Sequence, residues 1–107
     1  METLVDYRDH VGTAAEGFYK TTLFQSERLL LGLNCLEAGQ HQPVHGHEHE
    51  DKFYLVLEGA GEFQLDDEIQ AASAGNVVWA PAGVSHGVTN TGSERLVLLM
   101  GMAPSPE

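Results

Sequence analysis

Basic residues are scarce in this 107-residue chain: five Lys and Arg stand against 16 Asp and Glu, a formal net charge of −11. So acidic a chain lacks the cations that neutralise phosphates, which argues against nucleic acid as a partner. An anionic membrane surface is disfavoured for the same reason. Cysteine occurs once, as Cys35, so no internal disulfide can form and a disulfide-stapled scaffold is ruled out. Long apolar runs are missing too. The longest, Leu96–Met100, falls far short of a membrane span. The opening METLVDYRDH has no basic stretch leading into an apolar one, so no signal peptide is expected and a cytoplasmic setting is.

Helical periodicity is weak almost everywhere, and no run of ten or more residues carries good caps. What the chain does contain is twelve glycines and four prolines at short intervals. Between them lie short segments rich in β-branched, leucine and aromatic residues: 17–24, 28–36, 53–57, 61–65, 76–79 and 95–102. Many short strands broken by turn residues predict an all-β sandwich or barrel. Asp66-Asp67 reads as a hairpin turn. Residues 1–16 fit a helical turn or an edge strand equally well, and residues 103–107 read as a frayed tail. With no linker or repeat, residues 1–107 are expected to form one domain.

Six histidines stand out, at 10, 41, 45, 47, 49 and 86. His10 is isolated and is assigned no role. Four fall within Gln40–Asp51, where the pattern His45-Gly-His47-Glu-His49 in an extended segment turns alternate side chains to one face. Imidazoles gathered this way suit one divalent transition metal, and Fe, Zn, Ni, Mn and Cu all accept such ligands. The bland reading is a solvated histidine-rich loop. A second segment shifts the balance: Pro81-Ala-Gly83 makes a tight turn, and His86 follows at the start of a strand that can face the first cluster.

With these residues the chain resembles the cupin family, and the resemblance implies a double-stranded β-helix, or jelly-roll barrel. The first family motif, over residues 39–59, is matched at Gly39, His45, His47 and Gly59. The second, over 75–90, is matched at Gly75, Pro81, Gly83, His86 and Asn90. The resemblance implies that His45, His47 and His86 are metal ligands and that the chain forms a homodimer. Apolar segments 18–24 and 96–102 are the surfaces expected to be buried between copies.

One position departs from the pattern. Lys52 stands where the family carries a ligand glutamate, and a protonated amine has no lone pair to give. Three arrangements are open: Asp51 swings in as an oxygen ligand, His49 or Glu50 fills the gap, or the three histidines act alone with water or substrate. Asp51 and Lys52 cannot both point inward on a regular strand. Lys52 is expected on the exterior; an inward Lys52 would mark an anion-binding pocket instead.

The further candidates for the pocket are Tyr54, Phe53, Trp79 and Cys35. Phe53 and Tyr54 fall on opposite faces of one strand, so one of them lines the interior. Trp79 reads foremost as a core or rim anchor and Cys35 as a small core hydrophobe. Gln40 and His41 are placed on an exposed loop or behind the ligands, and Asn90 is a structural turn residue.

A metal-dependent enzyme of the dioxygenase or oxidoreductase type, acting on a small molecule, is the leading expectation. The alternatives are a non-catalytic module binding a sugar or organic acid, and a metal-independent isomerase using Tyr54 and His86.

Overall fold

The computed structural model describes residues 1–106. Among these residues a 3-10 turn at Tyr7–Asp9 precedes nine strands. These are β1 (Tyr19–Gln25), β2 (Leu30–Leu36), β3 (His41–His45), β4 (Asp51–Glu58), β5 (Ala60–Leu65), β6 (Glu68–Ser73), β7 (Val77–Ala80), β8 (His86–Thr89) and β9 (Leu96–Ala103). They form a five-stranded sheet in the order β1-β2-β9-β4-β7 and a four-stranded sheet in the order β3-β8-β5-β6. All the strand pairs are antiparallel.

The two sheets bury a shared core of Leu36, Tyr54, Val56, Phe63, Ala72, Val78, Val88, Leu96 and Leu98. Each large apolar side chain removed from water here contributes roughly 1.5–3 kcal/mol. A second cluster lies on the outer side of the large sheet, where Leu33, Cys35 and Val97 are buried under Tyr7, Val11 and Tyr19. Of the two expectations for residues 1–16, the helical turn is the one found, as the 3-10 turn at Tyr7–Asp9, and no strand forms there. These residues lie over the sheet, tied by the Tyr7 hydroxyl donating to Glu58 at 2.9 Å and by Gln40 Nε2 donating to the Ala14 carbonyl at 2.8 Å.

Chain punctuation acts as its chemistry requires. Leu65 pairs with Glu68, so Asp66-Asp67 closes a two-residue hairpin, with Asp66 at φ 51°. Gly59 joins β4 to β5 at φ 82°, and a Cβ there would meet the Arg95 carbonyl at 2.5 Å. Only glycine satisfies both conditions. Asn90 is 1% exposed and donates to the Leu36 and Glu94 carbonyls while accepting from Gly92 N, so it locks the turn between β8 and β9. Where a frayed tail was expected over 103–107, Ser105 is pinned, its N donating to the Glu27 carbonyl and its Oγ accepting from Gln25 Nε2, while Glu107 lies outside the described residues.

Candidate metal centre

β3 ends at His45 and β8 begins at His86, and the two are directly paired across the small sheet. His47 follows in the loop beyond β3, its carbonyl accepting from Gly83 N at 2.8 Å. The Pro81–Gly83 turn thus grips the first histidine segment as well as aiming β8. Ring centroids lie 5.1 Å apart for His45 and His47, 4.4 Å for His45 and His86, and 5.6 Å for His47 and His86. One nitrogen from each of the three falls within 4.8 Å of the others.

The outward-facing nitrogens are already engaged. His45 Nδ1 lies 2.9 Å from the Pro43 carbonyl and His86 Nδ1 lies 3.3 Å from that of Val84. Glu50 Oε1 sits 3.4 Å from His47 Nδ1. An oxygen acceptor at Nδ1 places the proton there and leaves the lone pair on Nε2. His47 Nε2 and His86 Nε2 are buried with no hydrogen-bond partner among the described residues. Orphaned buried nitrogens are costly unless something occupies them. Burial pushes the His86 imidazole down to about 4, against the Val84 carbonyl and with Lys52 reinforcing it. His47 is lowered for the same reason, burial first and Lys52 next. Both shifts favour the neutral ring, the form that ligates metal. This donor set fits a divalent transition metal.

β4 decides the remaining candidates. Lys52, Tyr54 and Val56 face inward, and Asp51 faces solvent at the opposite side of the strand. Asp51 Oδ1 accepts from Ala82 N at 2.9 Å, so its carboxylate braces the Pro81 turn and is absent from the histidine cluster. His49 is likewise exposed in the loop and lines a separate surface groove with Glu27 and Glu50. Neither takes the place of the missing ligand glutamate, because strand alternation and loop direction carry them away. The expectation of an exterior Lys52 is corrected for the same reason. It is 3% exposed and lines a cavity of about 420 Å³ shared with His45 and His47.

Tyr54 is the inward aromatic, its hydroxyl donating to Gln42 Oε1 at 2.8 Å and its ring 6.1 Å from that of His86. Burial raises its phenol well above the ordinary value. Phe53 turns outward and covers Gly101. Its strand partner Trp79 is also outward and 55% exposed. Cys35 belongs to the outer cluster, where burial raises its thiol. Phe53, Trp79 and Cys35 are thus corrected as pocket residues, since alternation places all three on the far side of the large sheet. Sequence reasoning missed Gln42, Asn34 and Lys20, which line the cavity from β3, β2 and β1. No local motif marks them, because only the closing of the sheets brings these strands together.

Two facing antiparallel sheets, with a histidine triad at one mouth and a polar cavity behind it, define a small barrel built around a ligand site. The chain belongs to the cupin family, whose Cupin domain model matches residues 32–102. It is 32% identical over 80 residues to Protein SchB of Streptomyces halstedii, covering 72% of this chain and 58% of that protein. It is 34% identical over 64 residues to the oxalate-binding protein of Thermotoga maritima, covering 60% of this chain and 53% of that one. The chain therefore spans a little over half the length of these curated relatives. Among solved structures, TT1209 from Thermus thermophilus superposes with a TM-score of 0.92 at 38% identity, covering 96% of this chain and 98% of that one.

Proposed function

We propose that this cupin is a metal-dependent enzyme of the dioxygenase or oxidoreductase type, acting on a small molecule at a mononuclear centre. The observation that carries the reading is the set of three imidazoles whose Nδ1 atoms face oxygen acceptors while His47 and His86 leave buried Nε2 atoms unpaired. In this reading His45, His47 and His86 hold one divalent ion, Fe, Zn, Ni, Mn or Cu, and Glu50 orients His47. When bound, the ion supplies Lewis acidity and open coordination positions for reactants. The apolar side chains of Met100 and Met102 in the cavity wall restrict water around the substrate. Metal analysis of purified protein, followed by an oxygen-consumption screen over small organic acids and sugars, tests it. Stoichiometric metal with turnover supports the reading, and metal-replete protein with no bound ion overturns it.

A second reading, a binding module for an organic acid, is favoured by the inward Lys52 and by the relative named as an oxalate-binding protein. The metal-independent isomerase has less support: the Tyr54 hydroxyl is held by Gln42, and no carboxylate pairs with His86 among the described residues.

We also propose a two-fold homodimer in a cytoplasmic, reducing setting, the latter on the unpaired Cys35. Of the two segments expected at this interface, 18–24 stays partly exposed along the edge strand β1, while much of 96–102 is spent on the protomer's own core. Leu96, Val97 and Leu98 are fully buried inside one protomer, whereas Val77 and Trp79 on the outer face of β7 are 66% and 55% exposed. Phe53 and Leu55, their partners on β4, continue this apolar face.

A further inference from the structure

The chain holds only two lysines, Lys20 and Lys52, and both line the histidine cavity. None of its 16 acidic residues lines that cavity among the described residues. This distribution runs against the overall charge of −11. Lys52 is 3% exposed, and no described carboxylate lies within salt-bridge distance of its ammonium. Its ammonium lies over the face of the Tyr54 ring, 5.0 Å from Nζ to the centroid. Burying an ammonium without a counter-anion is costly, and a cation–π contact recovers only a part of the cost. Two further side chains with hydrogen-bonding capacity, Asn34 and Gln42, line the same space, and Asn34 is itself 2% exposed.

We infer that Lys52, with Lys20 and its cross-strand partner Asn34 lining the same cavity, forms an anion subsite that selects small organic acids as the ligands of this cavity. The inference rests on the reading of the histidine cavity as the ligand site. It deepens that reading by naming the substrate class. A carboxylate in this subsite gives the buried ammonium the counter-charge it lacks, and a charge-assisted hydrogen bond in a sheltered cavity is stronger than its neutral counterpart. At about 420 Å³ the cavity has room for more than a two-carbon diacid, so an acid with a longer body fills it better. An anionic group at Lys52 leaves the rest of the molecule to reach toward the histidines. Cavity size then discriminates among acids by length, and the lysines discriminate acid from amide.

The test is a calorimetric titration of oxalate, malonate, succinate and glutarate, each beside its diamide, into metal-free and zinc-loaded protein. The acids should bind at least about tenfold tighter than the diamides, with an optimum beyond oxalate. Lys52→Met should erase that preference, and Lys52→Glu should abolish acid binding. Lys20→Met, at an exposed position that cannot disturb the core, should give a smaller loss. Zinc affinity should hold or rise in Lys52→Met, because a like charge near the site has been removed. Acid binding that survives Lys52→Met and Lys20→Met overturns the inference, as does equal affinity for acids and diamides. If no zinc binds but acids still bind in a Lys52-dependent way, the metal reading fails and the anion subsite stands.

Discussion

Lys52 carries its ammonium 5.0 Å from the centroid of the Tyr54 ring, two residues along the same inward face of β4. Burial, then the charge of Lys20, depresses Lys52 to about 8. Lys52 in turn adds to the forces that keep His47 and His86 neutral.

The depressed Lys52 predicts a pH dependence of stability. Its value in the folded state lies below the ordinary 10.5, so the unfolded chain holds the proton more tightly. Below pH 8 the folded form bears the full cost of the buried charge. Stability recovers as pH rises from about 8 toward 10.5, where the unfolded state binds more protons. Lys52→Met in metal-free protein should therefore be more stable at pH 7 by about 2–3 kcal/mol. The gap should narrow above pH 8, as read by denaturant unfolding across pH. Lys20, His45, His47, Tyr54 and His86 are the other titratable groups near Lys52, and they are common to both proteins.

Removal of one imidazole should collapse the metal site. His86→Ala is expected to lower metal affinity by more than about 100-fold, since loss of even an outer partner costs 10–100-fold. Elemental analysis and competition with a chromogenic chelator measure this. Unchanged stoichiometry and affinity would remove His86 from the ligand set.

Glu50→Gln should have a milder effect. Glu50 lies 3.4 Å from His47 Nδ1 and helps fix the ring tautomer, so the amide should weaken metal binding about tenfold without changing the saturating stoichiometry. The same chelator competition reads it, and no change would leave Glu50 a mere loop carboxylate.

Asn90→Ala should separate fold from site. The substitution strands the Leu36 and Glu94 carbonyls and Gly92 N in a buried turn, at a cost of about 2–4 kcal/mol. Metal stoichiometry below the unfolding transition should stay at the wild-type level.

Assembly is checked by mass. Sedimentation at micromolar protein should give about twice 11.6 kDa. Trp79→Glu, on the outward apolar face, should yield a folded monomer. A wild-type monomer at every concentration would end the dimer proposal.

Much of this molecule is legible in the chain because its signals are local. Gly59 at positive φ, the Pro81–Gly83 turn and the Asp66-Asp67 hairpin are set by backbone chemistry within a few residues. The spacing of His45 and His47, with His86 just beyond a tight turn, announces a cluster of three imidazoles because the turn itself aims the last one.

Which side of each strand faces the cavity was decided by tertiary structure. β4 reads Asp-Lys-Phe-Tyr-Leu-Val-Leu-Glu, apolar on both alternating sets, because residues 7–11 cover part of the outer face of its sheet. A period of two selects a face only where one face is polar, so the pattern alone could not turn Lys52 inward or Asp51 and Phe53 outward. Register with β9 and β7 did that, pairing Lys52 with Met102 and Ala80. The convergence of Lys20 from β1, Asn34 from β2 and Lys52 from β4 is likewise invisible along the chain. Each of these residues is ordinary in its own strand, and only the packing of the two sheets makes them walls of one cavity.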